Sequence, residues 1–581
     1  MIDISTLFTP LPSEFKLGGD GKPLCASPAS VIHRALRPWW FTLDQNDQAS
    51  RLLYVISKFL YLEGKEDQFE ISGRQYLHDQ LSTLVNSQAK IELVFPAFPF
   101  KSPSDKKALG RYPDLGEEFL LRRLETLACS IEDEYIPGAS IFIVSDGLVY
   151  GDILGQDDST VYKYNAELRR ICREQQLTHI HFVRVMDLFN SDPLDISSEE
   201  TTLQEYLELM PKTRAQFLAH EVPSFELETG LQQDSGLIRT YRGYLKFLEL
   251  DLDGSSLTKS PEGQPLSGKQ QDRVRRQIAK KMLSRGARFS DLVQAKFPSA
   301  IRLSCHQHPN KGPKFALRLY PNAGMMATPW HNVLFERTDG SLEVTHLCSL
   351  KDYEYETVYK FGRPYYLREK TDAYTFGSNL DAHISFSRTY PFGLAITCSD
   401  SVAISFNELP MDKIRKLIKM HSCVVFRGFS TISREDMITK ASEFGEILRW
   451  PAYGAIFEIK ENPNWDVNSS LTSEAMPMHY DGVFKTKTTE SGKIINDPPQ
   501  FQFFQCIEAT ESEDGGQTLF SNTADILRNG VTSLQRDLLS SKTWTVYTPQ
   551  NTVFGGDHFD LPLITRNEFT GNDVLRWHDP W

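Results

Sequence analysis

The sequence predicts two domains: an α/β N-terminal domain, Rossmann-like with a mostly parallel sheet, and a mostly β C-terminal domain, a double-stranded β-helix or jelly roll. Three observations lead to this prediction. The chain has 581 residues, too many for a single hydrophobic core. From about residue 90 onward, strand-like and helix-like segments alternate. Beyond about residue 390, short β-rich segments are separated by glycine and proline.

The first half of the chain alternates between short apolar strands and amphipathic helices. Apolar residues at helical spacing predict helices over 116–135 and 159–175, with Ser159 as the N-cap of the second. The strand-like runs are 90–98, 139–147 and 178–189. Because parallel strands need crossover connections, this order predicts a parallel sheet with helices between its strands.

The pattern changes along the rest of the chain. Residues 190–300 are mainly helical and charged, and 251–270 reads as a loop or a lid. Strand-like runs return after residue 300. A Gly-, Ser- and Asp-rich stretch near 370–390 predicts the boundary between a domain over 1–380 and a domain over 390–581. In the second domain, β-rich runs such as 501–509 and 516–523 predict antiparallel sheets.

Composition excludes several classes of protein. The 63 basic and 76 acidic side chains give a formal net charge of −13, which disfavours nucleic-acid and anionic-membrane partners. Eight cysteines without paired spacing indicate reduced thiols rather than a disulfide framework. We see neither a secretory signal nor an apolar run of roughly 20 residues, so we expect a cytoplasmic protein. The sequence leaves the oligomeric state open.

Residues 95–118 offer an anion-binding composition. Lys101, Arg111 and Asp114 lie just before a predicted helix N-terminus, where backbone N–H groups and a fixed guanidinium can hold a phosphate. A solvated charged loop is the alternative interpretation.

Two carboxylates follow the second predicted strand. Asp146 ends that strand and Asp152 comes six residues later. A carboxylate at the C-terminal end of a strand can orient an amine or act as a base. An Asp-Gly turn explains Asp146 equally well.

Histidines and cationic residues are concentrated after residue 300. Histidine titrates near neutral pH and lysine forms imines with ketones, so these side chains are candidates for acid-base or covalent chemistry. They are His306, His308, Lys311, Lys314 and His331, and a later segment adds Arg363 and Arg368. For each of the first five, a structural role is the alternative.

These motifs, in this order, resemble the isocyanide (isonitrile) synthase family of pyoverdine/dityrosine biosynthesis. The matching segments are "FPAFPFKSP", "GRYPDLGEE", "SDGLVYGDI", "RLSCHQHP" and "TPWHNV", and the resemblance covers roughly residues 25–375. Cys305 stands where we expect an aliphatic residue. The resemblance implies conversion of the α-amine of an L-amino acid to an isonitrile, with ribulose 5-phosphate as the carbon donor and no metal or nucleotide.

Such chemistry needs an acid-base pair and cations. The amine must add to the ketone of the sugar and lose water, and the candidates for proton transfer are Asp146, His306, His331 and Asp152. The candidates for binding the two substrates are Lys101, Arg111, Asp114, Lys314 and Arg368. The sequence does not assign which cation contacts the phosphate and which the amino-acid carboxylate. It also leaves open whether the amino acid is tyrosine, tryptophan or aliphatic.

His479 and Asp481 form a possible metal pair near the C-terminal end. On a strand, residues i and i+2 point to the same side, so both side chains could reach one ion. Iron(II) that binds oxygen is commonly held by two histidines and one carboxylate. A surface hairpin with two polar residues is the alternative interpretation.

The surrounding segments "VVFRGF", "MPMHYDG" and "EDGGQTLFSNT" resemble the taurine-dioxygenase-like Fe(II)/2-oxoglutarate oxygenases, over roughly residues 395–581. The resemblance implies that His479 and Asp481 are the first two iron ligands and that Thr518 contacts 2-oxoglutarate. The distal histidine and arginine of the family have no clear match, because the last histidine is His578 and no arginine follows it. His558 and His578 would be unusual third ligands, so we expect a truncated oxygenase domain.

Together, the two resemblances predict a bifunctional enzyme of secondary-metabolite biosynthesis, in which an oxygenase domain acts on the isonitrile. Two alternatives stay open. Only the synthase half is active, or the chain is a non-catalytic metal-binding or regulatory protein that keeps the fold.

Overall fold

A computed structural model describes most of the chain. The described residues are 47–145, 147–189, 201–219, 224–321, 327–399, 402–449, 454–460, 478–483, 485–492, 494–509, 518–531, 533–547 and 558–576. The chain divides into two compact units, one ending at Lys370 and the other beginning at Thr371. This division precedes the predicted boundary because Tyr374 and Phe376 pack into the core of the second unit.

The first unit is built on a parallel sheet, which confirms the predicted α/β class. Its strands are β1 (Ile91–Pro96), β2 (Ala139–Val144), β3 (Ile180–Val183), β4 (Ile301–Ser304), β5 (Lys314–Ala316), β6 (Val333–Glu336), β7 (Leu342–Thr345), β8 (Tyr355–Lys360) and β9 (Arg363–Glu369). The central sheet has the order β3-β2-β1-β4-β5, and all its neighbouring strands run parallel. A second sheet, β7-β6-β9-β8, is mixed.

Helices connect and cover these strands. They are α1 (Gln48–Ser57), α2 (Arg74–Asn86), α3 (Leu115–Glu132), α4 (Gly147–Tyr150), α5 (Asp158–Glu174), α6 (Leu203–Leu218), α7 (Ser224–Gln233), α8 (Ser235–Asp251) and α9 (Gly268–Lys296). Every residue of β2 is buried, as expected for a strand with both faces covered. Gly147 is required where α4 meets the loop after β1, because a Cβ atom there would lie 2.4 Å from the carbonyl oxygen of Pro99.

Two local predictions in this unit are corrected. The N-cap of α5 is Asp157, whose carboxylate accepts from the Thr160 N–H at 2.8 Å, and Ser159 lies in the first turn. The predicted strand over 178–189 is shorter, because β3 ends at Val183. A 3₁₀ helix, Val185–Phe189, follows, and the Asp187 carboxylate accepts from the Arg184 N–H at its start.

The second unit has small sheets. Its strands are β10 (Ile384–Arg388), β11 (Leu394–Cys398), β12 (Val424–Arg427), β13 (Thr486–Thr488), β14 (Ile494–Asn496), β15 (Thr543–Tyr547), β16 (His558–Pro562), β17 (Ile564–Arg566) and β18 (Asp573–Leu575). Its helices are α10 (Ser378–Asp381), α11 (Met411–His421), α12 (Arg434–Ser442), α13 (Thr523–Asp525) and α14 (Ser533–Ser540). One mixed sheet has three strands and three antiparallel sheets have two each, and among the described residues these do not close into a double sheet.

Two strand predictions in this unit are wrong for the residues described. Residues 501–509 form no strand, and 518–522 lead into α13. The first segment is held by its side chains instead: the rings of Phe501 and Phe503 lie 4.9 and 5.0 Å from the ring of Phe444. Aromatic packing therefore replaces the hydrogen-bond ladder that the β-rich run predicted. Among the helices of the described residues, none is long and apolar enough to cross a membrane.

Candidate active site

The candidate site lies at the C-terminal edge of the central sheet. From β1 the sheet is extended on one side by β2 and β3, and on the other side by β4 and β5. The strand order therefore reverses between β1 and β4, and ligands bind at such a switch point in open α/β sheets. The loops after β1 and β4 meet there. The turn Pro329–His331 is bonded to the loop after β1, since the Ser102 N–H donates to the carbonyl of Trp330 at 2.7 Å.

His331 is the central side chain of this region. Its Nδ1 lies 3.6 Å from Oδ1 of Asp251, and its ring stands edge-on to the ring of Phe247 at 4.7 Å. The Nδ1 atom is buried and has no hydrogen-bond partner among the described residues. Burial lowers the pKa of His331 well below its ordinary value, and the charge of Lys107 lowers it further. At neutral pH this imidazole is therefore uncharged and able to accept a proton.

Asp251 is the last residue of α8, and its carboxylate connects this helix to the loop after β1. The Ser102 hydroxyl donates to its Oδ1 at 2.7 Å, and the Lys107 ammonium pairs with its Oδ2. Both Lys107 and Asp251 are buried. Burial raises the pKa of Asp251, although Lys107 opposes the shift. The sequence did not single out Ser102, Lys107 or Asp251 as candidates. Asp251 begins the segment that was predicted to be a loop or a lid.

A second group of basic side chains follows β4. Burial and the charge of Arg302 lower the pKa of Lys314 to about 8, and its ammonium donates to the Ser290 hydroxyl at 3.0 Å. Burial, together with Lys314, lowers the pKa of His308 to about 4 and also lowers that of His306. The His306 residue itself is exposed, although the neighbouring protein partly desolvates its imidazole. The charge of His306 also acts on His331, which places the two groups near each other.

Lys101 and Asp114 are brought together, but inside the protein. The Lys101 ammonium donates to Asp114 at 2.6 Å, to Glu117 at 2.8 Å and to the carbonyl of Pro329 at 3.0 Å. These bonds use its three N–H groups, and the side chain is fully buried. Asp114 caps α3 in a capping box with Glu117. Burial raises the pKa of Asp114 to about 8. Lys101 is therefore the counter-ion of two buried carboxylates, and its contact with a phosphate stays a prediction.

Three other candidates are held in polar contacts with other side chains. Arg111 is exposed and donates to the side-chain oxygen of Gln156 at 3.0 Å. Asp152 accepts two hydrogen bonds from Arg285, at 2.5 and 3.0 Å, which is the geometry of a structural ion pair. Arg368 donates to Glu356 on the neighbouring strand at 2.8 Å. The fourth, Asp146, lies outside the described residues.

In the second unit, the predicted metal pair lies in a turn and not on a strand. Asp481, Gly482 and Val483 form the turn, and the imidazole Nε2 of His479 lies 3.5 Å from the Asp481 carboxylate. The Gln502 amide also donates to Asp481. Thr518 is exposed. The side chain of His558 and the whole of His578 lie outside the described residues, so neither is tested as a third ligand.

Two protein families match the chain in sequence. The family described as "Pyoverdine/dityrosine biosynthesis protein" matches residues 81–358. The family described as "Taurine catabolism dioxygenase TauD, TfdA family" matches residues 388–581. The two matches therefore fall on the two compact units.

Three curated relatives are similar to this chain over all or part of its length. Isocyanide synthase xanB of Aspergillus fumigatus is 34% identical, over 98% of this chain and 76% of that protein. Isocyanide synthase A of the same fungus is 32% identical, over 92% of this chain and 85% of that protein. L-tyrosine isonitrile synthase of Pseudomonas aeruginosa is 32% identical over 45% of this chain. The chain therefore belongs to the isocyanide synthase family, with a pyoverdine/dityrosine biosynthesis domain followed by a TauD-type dioxygenase domain.

Proposed function

We propose that this chain converts the α-amine of an L-amino acid to an isonitrile, with ribulose 5-phosphate as the carbon donor. The observation that carries the proposal is the pair of half-buried His331 and buried Asp251 at the C-terminal edge of the central sheet. The amino-acid substrate is supported by the relative described as an L-tyrosine isonitrile synthase.

The first step of this reaction needs a base that then becomes an acid. The amine nitrogen attacks the ketone carbon of the sugar, and the C=O electron pair moves to oxygen. We assign His331 to take one proton from the nitrogen and return it to that oxygen, which becomes the hydroxyl group of a carbinolamine. A second proton must then pass from the nitrogen to this hydroxyl group, which leaves as water and gives an imine. Asp251 would hold the imidazole in place and stabilise its charged form. Asp146 follows β2 in the sequence and His306 follows β4, and both stay candidates for the second proton transfer.

The sugar phosphate is assigned to the basic group after β4. Among the described residues, the Lys314 ammonium donates to Ser290 alone, whereas Lys101 has used all three of its N–H groups. His306 and His308 lie close enough to Lys314 for its charge to lower their pKa values. Among the candidates, Lys314 is therefore the cation best placed for the phosphate, and Arg111 and Arg368 stay candidates for the amino-acid carboxylate.

Incubation of the purified chain with ribulose 5-phosphate and each of the twenty amino acids, without added metal, tests this proposal. We expect one or a few amino acids to give a product with the mass of the isonitrile. Labelling C2 of the sugar with ¹³C should label the isonitrile carbon. Absence of a product across the panel, or a product without the label, would contradict the proposed donor.

For the second unit, we propose oxidation of the isonitrile by an Fe(II)/2-oxoglutarate site in a jelly-roll domain. His479 and Asp481 fit two metal ligands, since an imidazole nitrogen and a carboxylate oxygen lie 3.5 Å apart. Bound iron and 2-oxoglutarate would supply oxygen activation. Thr518 would contact the co-substrate, and its exposed position leaves it accessible.

A further inference from the structure

Three side chains of types that can bind metals lie together at the edge of the central sheet opposite the candidate active site. Glu125 and Cys129 lie on α3, and His179 lies immediately before β3. Because β3 is parallel to the rest of the sheet, its first residue is at the N-terminal edge, whereas His306 follows the C-terminal end of β4. Nothing in the proposed synthase reaction uses these residues.

The three donor atoms converge on one point. Residues four apart share one face of a helix, so Glu125 and Cys129 are neighbours on α3. The Nδ1 atom of His179 lies 2.8 Å from Oε1 of Glu125 and 3.9 Å from Sγ of Cys129, and the three ligand atoms all lie within 4.8 Å of one another. Zinc bonds of about 2.0–2.3 Å in a tetrahedron separate the ligand atoms by roughly 3–4 Å. Only small movements are therefore needed to close the three ligands on an ion.

The surrounding hydrogen bonds orient the ligands. The backbone N–H groups of Thr178 and His179 donate to the Glu125 carboxylate, at 2.9 and 3.2 Å. On the far side of the imidazole, Nε2 of His179 lies 3.0 Å from the Glu132 carboxylate. A carboxylate that accepts the second N–H of a histidine is a common partner of metal-ligating histidine, because it directs the other nitrogen at the ion.

An ion pair without a metal is the competing interpretation. With a proton on each ring nitrogen, His179 would bridge Glu125 and Glu132. Its contacts with Cys129 and Glu125 raise the pKa of His179 to about 10, which favours that charged form. However, an imidazolium between the two carboxylates does not account for the Cys129 sulfur, which lies 3.9 Å from Nδ1 of His179. Zn²⁺ would replace the Nδ1 proton and the thiol proton, which both go to solvent, so the net charge of the cluster would not change.

We propose that Glu125, Cys129 and His179 form a Zn²⁺ site with solvent as the fourth ligand. Thiolate, imidazole and carboxylate are the ligands that zinc takes in proteins. Each of the three side chains is partly exposed, so the ion has a path from solvent. The site joins the C-terminal end of α3 to the start of β3, and its role is to hold these two elements together.

Protection of the thiol tests the site in the unmodified full-length chain. Alkylation of Cys129 by iodoacetamide, followed by peptide mass spectrometry, should slow at least tenfold with one equivalent of Zn²⁺ and recover after EDTA. Cys348 is exposed and far from any such cluster among the described residues, so its alkylation should not change. Equal rates for Cys129 with and without Zn²⁺ would overturn the proposal.

Cobalt substitution tests the identity of the ligands. One equivalent of Co²⁺ should give a thiolate-to-cobalt charge-transfer band that C129S and H179Q abolish. C348S should keep the band, and so should H479A, since the His479 and Asp481 pair contains no thiol. A band that survives C129S would overturn the assignment. Thermal unfolding and isonitrile synthesis of each variant show whether it is folded, independently of the metal.

Discussion

At the scale of single residues, burial decides which histidines can do chemistry. His331 is enclosed beside Lys107, so its protonated form is unfavourable and it is a base at neutral pH. His179 has the opposite environment, because Cys129 and Glu125 raise its pKa to about 10. Two side chains of the same type therefore have pKa values shifted in opposite directions in one unit.

Replacement of His331 by asparagine should reduce kcat for isonitrile formation by about 10²–10⁴-fold, the usual contribution of a general acid-base group. KM for either substrate should change little, because the amide keeps the polar character of the site. H346N is the matched control, since His346 is half-buried and its charge also acts on His331. Steady-state kinetics of the two variants give the comparison, and a kcat for H331N near that of the native chain would exclude His331 as the base.

Lys314 should produce an alkaline limb in the pH profile. Its pKa of about 8 means that the ammonium is present below pH 8 and is lost as the pH rises above it. If it binds the phosphate, kcat/KM for the sugar phosphate should fall up to tenfold per pH unit above pH 8, at saturating amino acid. K314M should lower the affinity about ten- to a hundredfold at pH 7.

K314R is the control for this profile. A guanidinium stays charged throughout the range, so the limb should move beyond pH 10 while binding is kept. An unchanged limb in K314R would assign the titration to another group and leave Lys314 without a role in binding.

At the scale of elements, α3 carries a charged group at each end. Its first turn holds the buried cluster of Lys101, Asp114 and Glu117, and its last turns hold Glu125 and Cys129. The helix runs from the C-terminal edge of the sheet to the N-terminal edge. The buried charge cluster and the candidate metal site therefore lie at opposite ends of α3.

Replacement of Lys101 by methionine should destabilise the first unit. Asp114 and Glu117 would stay buried without a counter-ion, which typically costs about 3–5 kcal/mol. Urea unfolding of the full chain measures the effect. K106M is the control, because the ion pair of Lys106 with Asp253 is exposed and its loss should change the midpoint little. Native stability together with weakened sugar-phosphate binding would instead make Lys101 a ligand.

At the scale of the whole molecule, the two family matches fall in separate compact units. His331 lies before the division at Lys370, and His479 lies after it. The first family match ends before the second unit begins, and the second match lies wholly within that unit. A change at one site should therefore leave the chemistry of the other intact.

Replacement of His479 by alanine tests this separation. We expect it to abolish the charge-transfer band of Fe(II) with 2-oxoglutarate under anaerobic conditions, because one of two assigned ligands is lost. Isonitrile formation should stay within twofold of the native rate, a range expected for an unperturbed first unit. H331N provides the reverse control, with the band kept and synthesis lost. A band that persists in H479A would show that the iron, if bound, uses other ligands.

The sequence by itself determined the parallel α/β sheet, the helices α3 and α5, and membership of the two families. Helix and strand periodicity depends on neighbours a few residues apart, so the pattern of the chain already contains it. The motif segments likewise named His306, Lys314 and His331 as candidates, and their roles stay predictions. The β-rich composition of 501–509 misled, because the packing of Phe501 and Phe503 on Phe444 replaced strand pairing.

Only the tertiary structure decided which polar groups meet and which are used up. Lys107 and Asp251 form an ion pair although they are 144 positions apart in the sequence. Glu125 contacts His179, which is 54 positions away in the sequence. Lys101 was an attractive phosphate ligand in the sequence, yet its three donors turn inward to Asp114, Glu117 and a carbonyl. The function of a charged side chain depends on its distance to other charges and on the water that burial removes. Neither quantity exists until the chain has folded.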